Sequence, residues 1–327
     1  MARARELGRG ERVIPGLWRL RLPLPFPGVP HGNAWAIAAG DGLVLIDTGM
    51  HEPGSMAQLE RAMDQVNLRL ELVRLLACTH AHSDHWGQAA PIRDRTGCEF
   101  LIHPKYGLML NEGPDQARAR RLEVARQSGV SEPAIAAYLE RAKDIPSGVA
   151  RVIEPDRELL PGVEIETDLG VWTVHETPGH TPSHVCLYQA ERRLLISGDH
   201  VMGRISLYFD FGYSPDPVAE FLDSLDRVDQ LGARLALSGH GKPFLDVPGH
   251  IEGNRRLVRE RIEATLTALG TEPQTAIEIA PAIYGEPIGF HNGHWLLTQT
   301  LCYLHHLELR GQVQREDDNG TERWRRA

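Results

Sequence analysis

The apolar run Leu72-Val73-Arg74-Leu75-Leu76-Ala77-Cys78 opens directly into Thr79-His80-Ala81-His82-Ser83-Asp84-His85-Trp86-Gly87. A run of that length and aliphatic character fits a strand buried on both faces, as in a parallel sheet covered by helices. His80, His82, Asp84 and His85, all able to ligate a metal, then follow just past the strand's carboxyl end. If the chain stays extended through His82, residues two apart face the same way, so His80 and His82 converge with only the small Ala81 between them. Ser83 and Asp84 favour a helix start, and that turn re-aims Asp84 and His85 away from the first pair. Two adjacent metals follow from this spacing, one held by imidazoles and the other by carboxylate and imidazole together.

Three later segments repeat the pattern of a strand, a tight turn and a ligand. Thr177-Pro178-Gly179-His180 places a histidine in a turn punctuated by proline and glycine. Leu194-Leu195-Ile196-Ser197-Gly198-Asp199-His200 ends an apolar strand in an acidic residue, and Leu235-Ala236-Leu237-Ser238-Gly239-His240 ends another in a histidine. Together with Val44-Leu45-Ile46-Asp47-Thr48-Gly49, these segments, in this order over roughly residues 12 to 250, resemble the metallo-beta-lactamase superfamily. The resemblance implies an α/β fold, the αββα sandwich of that family. Carried over position by position, it implies that His80, His82 and His180 bind a first metal and that Asp84, His85 and His240 bind a second, with Asp199 bridging the two. Zinc is the leading metal, and iron or manganese suits the same donors. A hydroxide shared by the two ions is the implied nucleophile, with Asp84 as the catalytic residue that orients it and takes its proton. Asp47 either accepts a hydrogen bond from a ligating imidazole or simply forms the turn before Thr48-Gly49. His200 either faces the substrate or sits in the core, since successive strand residues point to opposite sides. His184 is expected to pack or hydrogen-bond locally.

Motifs shared across the superfamily leave the bond open among a thioester, a phosphodiester and a lactone. An endoribonuclease and a mononuclear iron oxidoreductase like the persulfide dioxygenases are the alternatives; in the latter branch the second-site ligands go unused, whereas Asp84, His85 and His240 are all kept here. The expected partner is a small-molecule substrate. A formal charge of −9 argues against bulk attraction to nucleic acid or an anionic membrane, so DNA is excluded and RNA would need a local basic patch. Cys78, Cys98, Cys186 and Cys302 show no C-x-x-C spacing and read as reduced core thiols. The N-terminal residues carry no apolar h-region, and no run approaches the ~18 apolar residues of a membrane span, so a soluble cytoplasmic protein is expected.

The sequence divides into a catalytic domain over residues 1–250 and a small unit over 251–327. Gly16 to Leu22 alternates as a half-buried strand does, and Pro23-Leu24-Pro25-Phe26-Pro27 reads as a loop; the corresponding loop borders the site in the resembling family, which would bring Phe26 to substrate, but the default reading is a surface phenylalanine braced by prolines. A helical insertion at about 104–150 holds two helices, from Pro114 to Gln127 and from Ser131 to Asp144, with Arg118, Arg120, Arg121, Arg126, Arg141 and Lys143. A basic roof would suit a substrate bearing phosphate or carboxylate, but with Glu123 and Glu140 offsetting the arginines the preferred reading is a solvated helix face. After His240, helices over Ile251–Leu269, Thr275–Ile283 and Gly293–Leu309 and a short hairpin outline a winged helix, similar to the beta-lactamase-like protein 2 group within the superfamily. Residues 251–327 hold nine arginines against eleven acidic residues, and the third helix has only Arg310 near its end. That unit therefore reads as a packing or homodimerisation element rather than a DNA reader, with His291 and His294 near the rim of the site.

Overall fold

The computed structural model describes residues 7–26, 28–110, 113–142 and 147–327. The first sheet runs in chain order: β1 (Arg9–Ile14), β2 (Leu17–Phe26), β3 (Val29–Ala39), β4 (Gly42–Ile46), β5 (Val73–Cys78), β6 (Glu99–Ile102) and β7 (Arg157–Glu158). Its first four strands form an antiparallel meander, and β4 to β7 are parallel. The switch follows the sequence, because β4, β5 and β6 are separated by helices α1 (Ser55–Asp64), α2 (Ser83–Trp86) and α3 (Ala89–Thr96), which supply the crossover that parallel pairing requires. The second sheet holds β8 (Glu164–Thr167), β9 (Gly170–Glu176), β10 (Val185–Gln189), β11 (Leu194–Gly198) and β12 (Leu235–Ser238), in spatial order β12-β11-β10-β9-β8.

The two sheets pack face to face over Trp35, Ile37, Ile46, Trp172, Val174, Leu187, Ile196 and Leu237, all buried. The outer face of the first sheet is covered by α1 and α3 through Leu59, Met63 and Ile92. The outer face of the second is covered by α7 (Pro217–Gln230) and α8 (Val247–Ala268) through Phe221, Leu225, Ile251 and Val258. The result is the αββα sandwich. Each sheet buries both faces, which is why β4, β5 and β11 read as near-continuous aliphatic runs.

The stretch Pro23 to Phe26 is strand rather than loop, with Pro23 opposite His31. β1 stops pairing with β2 at Arg21, so Pro23 and Pro25 lie where the ladder has a neighbour on one side only, and a missing N–H costs nothing there.

The insertion contains α4 (Gly107–Leu110), α5 (Gly113–Gln127) and α6 (Glu132–Ala142); Lys143 and Asp144 lie outside the described residues. Its helices dock on the C-terminal unit: Val124 joins the cluster of Ile279, Leu301 and Trp324, Ser128 O accepts from Ile277 N, and the Arg141 guanidinium lies 5.4 Å from the Phe290 ring centroid. The C-terminal elements are α8, β13 (Gln274–Thr275), α9 (Ala276–Tyr284), α10 (Gly293–Leu309), β14 (Val313–Asp318) and β15 (Thr321–Arg326), with sheet order β13-β15-β14. α9 begins at a capping box in which Thr275 and Glu278 satisfy each other's backbone, and β13 just before it went unforeseen because two residues leave no pattern. α8 starts four residues before the expected Ile251 and runs through residue 250. Val247, Ile251 and Val258 pack beneath the second sheet while Leu266 packs among the C-terminal helices. Among the described residues no helix is long and apolar enough to cross a membrane.

Candidate metal centre

The carboxyl ends of β4, β5, β11 and β12 and the β9–β10 turn meet at one end of the sandwich. There the structure brings together every residue expected to ligate metal. His80, His82 and His180 form one group, Asp84, His85 and His240 a second, and Asp199 stands with His80 and His85 between them. His82 remains extended (φ −73°, ψ 146°) and is itself the cap of α2, so the helix starts one residue earlier than a Ser83 cap would give. That extended backbone lets His80 and His82 converge, and the turn after it swings Asp84 and His85 to the second group.

In the first group, His82 Nδ1 lies 3.1 Å from His80 Nε2 and 3.0 Å from His180 Nε2. In the second, His240 Nε2 lies 3.2 Å from Asp84 Oδ2, and His85 Nε2 lies 3.6 Å from the same oxygen. Asp199 reaches both groups: Oδ1 is 3.5 Å from His85 Nε2, and Oδ2 is 3.2 Å from His240 Nε2 and 3.9 Å from His180 Nε2.

The opposite nitrogen of each imidazole is held by an oxygen. His80 Nδ1 meets the Thr79 hydroxyl at 3.0 Å, His82 Nε2 meets Asp210 at 2.9 Å, and His85 Nδ1 meets Asp47 at 2.9 Å. His180 Nδ1 donates to Tyr208 O and His240 Nδ1 to His31 O, both at 3.0 Å. In the neutral imidazole an N–H on that outer atom leaves the lone pair on the inward nitrogen, so each ring, once it has shed any second proton, can receive a metal there. Two observations make room for one. His85 Nε2 and Asp199 Oδ1 are buried and have no hydrogen-bond partner among the described residues, which is costly for polar atoms without a ligand. A Cβ at Gly239 would lie 2.2 Å from Asp199 Oδ1 and 2.5 Å from His85 Cε1, so only glycine leaves that space open. The donor set, imidazole with carboxylate, suits zinc, iron or manganese.

Electrostatics set His80 and His180 apart from the other imidazoles; burial opposes charge on His82 too, but Asp210 outweighs it and raises that ring. Burial holds His80 well below its ordinary pKa and His180 down to about 4, so both are neutral. Burial opposes charge on His240 as well, but Asp199 and Asp84 outweigh it and push it up to about 10. His85 is likewise raised against burial, by Asp199, Asp84 and Asp47, and Asp84 and Asp199 are held well below the usual carboxylate range by the same histidines despite their burial. His82, Asp84 and His240 keep partial exposure and mark the open side of the cluster.

His200 does not face that side. It is 1% exposed and its ring packs 4.7 Å from Phe221, so the sequence-based substrate role gives way to the core alternative: the chain turns after Asp199 and sends the next side chain under α7. His184 does more than pack, since its Nε2 accepts from the Asp199 backbone N–H at 3.1 Å and its Nδ1 meets the Thr177 hydroxyl at 2.7 Å. Asp210 and Tyr208 were missed, because they lie in an irregular segment with no motif. Of the basic residues in the insertion, Arg120 lies 4.4 Å over the Tyr213 ring and Arg126 pairs with Glu132, so neither points freely at the cluster.

Residues 27–240 match the profile described as "Metallo-beta-lactamase superfamily", and residues 262–327 match "Metallo-beta-lactamase-like, C-terminal domain". The chain is 26% identical over 280 residues to the "Probable metallo-hydrolase YqjP" of Bacillus subtilis, covering 81% of this chain and 85% of that protein. It is 25% identical over 285 residues to the "Beta-lactamase-like protein 2 homolog" of Caenorhabditis elegans, covering 84% and 79%. The crystal structure of a metallo-beta-lactamase family protein from Thermus thermophilus superimposes with a TM-score of 0.82 at 25% identity, over 97% of this chain and all of that one (100%).

Proposed function

The chain belongs to the metallo-beta-lactamase superfamily and is a metal-dependent hydrolase, and from that premise we propose that it uses two divalent ions, zinc first among the candidates, to cleave an ester-type bond in a small molecule. The observation that carries this reading is the pair of three-residue groups joined by Asp199, with each inward imidazole nitrogen fixed by an oxygen behind it. His80, His82 and His180 would hold one ion, Asp84, His85 and His240 the other, and Asp199 both. Ions bound there would bring the pKa of a water toward neutrality and polarise the bond to be cleaved.

The residues divide the remaining work. Asp84 is the base: its carboxylate stays ionised beside His85 and His240, lies on the open side, and is placed to orient the attacking water and take its proton. No side-chain nucleophile is required, and all four cysteines are buried, with Cys78 and Cys302 pushed far up by burial. The convergence of Asp84, His85 and His240 favours two ions over a single iron, since a one-metal oxidoreductase would have no use for the second group. The C-terminal unit we read as a winged helix turned to packing, because α8 and α10 each bury one side beneath the second sheet, through Ile251 and Val258 and through Cys302 and Tyr303.

Elemental analysis of protein purified without added metal or chelator tests the reading. About two ions per chain, with turnover of a thioester, lactone or phosphodiester, is the expected result; about one iron per chain with oxygen consumption overturns it.

A further inference from the structure

We propose that Trp295, contributed by the C-terminal unit, is a specificity-determining residue that selects substrates with an apolar acyl group beside the scissile bond; the inference rests on the hydrolytic reading above. Trp295 stands in the first turn of α10 and is 38% exposed. Its indole N–H donates to Leu207 O at 3.0 Å, so its one polar group is already used inside the protein. The surface it offers outward is apolar ring. That ring meets Tyr208 edge to face, with centroids 6.0 Å apart and planes at 89°. Tyr208 in turn lies 5.8 Å from the His82 ring and 5.7 Å from the His180 ring. Trp295 and Tyr208 therefore form an aromatic wall continuous with the first candidate metal group, on the side where His82 is open.

Two other exposed apolar side chains stand on elements that approach the same cluster. Leu108, 46% exposed, is next to Met109, whose sulfur lies 3.1 Å from the Thr181 hydroxyl beside His180. Phe26, 40% exposed, ends β2, whose partner strand β3 brings Gly32 beside His240. A rigid, partly exposed tryptophan with its donor satisfied gains most from an apolar ligand, because burying its ring releases water without stranding a polar group. A bare phosphate would gain nothing from it.

The test uses the full chain loaded with zinc and the straight-chain carboxylates from acetate to octanoate, which resemble the acid released from an acyl substrate. Their dissociation constants are measured by calorimetry. The expected result is tightening of about two- to fourfold per added methylene, from the transfer of each methylene out of water. Trp295→Ala should flatten that slope and Trp295→Phe should restore most of it, with metal content unchanged in both as the check on folding. A flat series in the unaltered protein, or an unchanged slope in Trp295→Ala, overturns the inference. If the slope is present and depends on Trp295 but no thioester, lactone or phosphodiester is turned over, the hydrolytic reading falls while the apolar subsite stands.

Discussion

Asp47 Oδ2 accepts a hydrogen bond from His85 Nδ1 at 2.9 Å, and the same carboxylate accepts from the Thr79 hydroxyl, which meets His80 Nδ1 at 3.0 Å. One buried side chain thus orients an imidazole in each of the two candidate metal groups. Asp47 adopts φ 63°, a left-handed backbone that asparagine also tolerates. Asp47→Asn therefore isolates the carboxylate charge from backbone strain. Loss of such a partner typically weakens a metal site by about 10- to 100-fold. We expect zinc affinity to fall at both groups, measured by competition with a chromophoric chelator; weakening of one site alone would show that the relay through Thr79 carries nothing.

Asp210 makes the contrasting case. Among the candidate ligands its carboxylate bonds His82, through Nε2 at 2.9 Å, and burial opposes its charge while His82 holds its pKa below the usual carboxylate range. Asp210→Ala should weaken the first group about tenfold or more and leave the second near its wild-type affinity. Stepwise titration of the metal-free protein with zinc distinguishes the two sites, and equal weakening of both would refute a role specific to His82.

The difference between Asp47 and Asp210 also marks what a sequence can reveal. His80, His82, Asp84 and His85 were legible because spacing along a strand and its following turn decides which way they point. His180, Asp199 and His240 were legible because each follows a strand in a tight turn and the segments come in the order of the family motifs that the sequence resembles. Asp210 reaches His82 from 128 positions away in an irregular segment, so nothing local announces it. His200 was ambiguous for the opposite reason: the alternation that would place it fails at the turn after β11. The strand through Pro23 and Pro25 depends on where β1 stops, and the docking of α5 onto α10 depends on tertiary packing that an Arg-rich helix does not advertise.

Metal loading should release protons. His240, held up to about 10, and His85, also raised, are charged at pH 7 in metal-free protein and must become neutral to ligate. Affinity at the second group should therefore rise with pH up to about 10. Calorimetric zinc titrations in buffers of different ionisation enthalpy should report at least two protons released per chain at pH 7, from His85 and His240, with His82, which Asp210 raises against burial, adding to them. The folded-state pKa of His240 lies above its ordinary 6.5, so its contribution to metal-free stability is full below that value and is lost as pH rises toward 10. A metal-free melting temperature that rises between pH 7 and 10 would contradict this assignment.

Asp216 couples the sandwich to the C-terminal unit. It caps α7 by accepting from Ala219 N at 3.0 Å, and it also accepts from His306 Nδ1 on α10 at 2.8 Å and from Arg310, just past the end of α10, at 3.0 Å. Burial would raise its pKa, but His306, Ala219 N and Arg310 bring it down to about 2. Loss of a helix cap alone costs about 0.5–2 kcal/mol, and here the α10 contacts go with it. Asp216→Ala should lower stability by roughly 2 kcal/mol. Because the folded-state pKa is depressed, this contribution is present above pH ~4 and fades as pH falls toward 2. Denaturant melts of the variant and the unaltered chain should therefore differ at pH 7 and converge near pH 2; a gap that persists at low pH would mean that the carboxylate charge is not what joins α7 to α10.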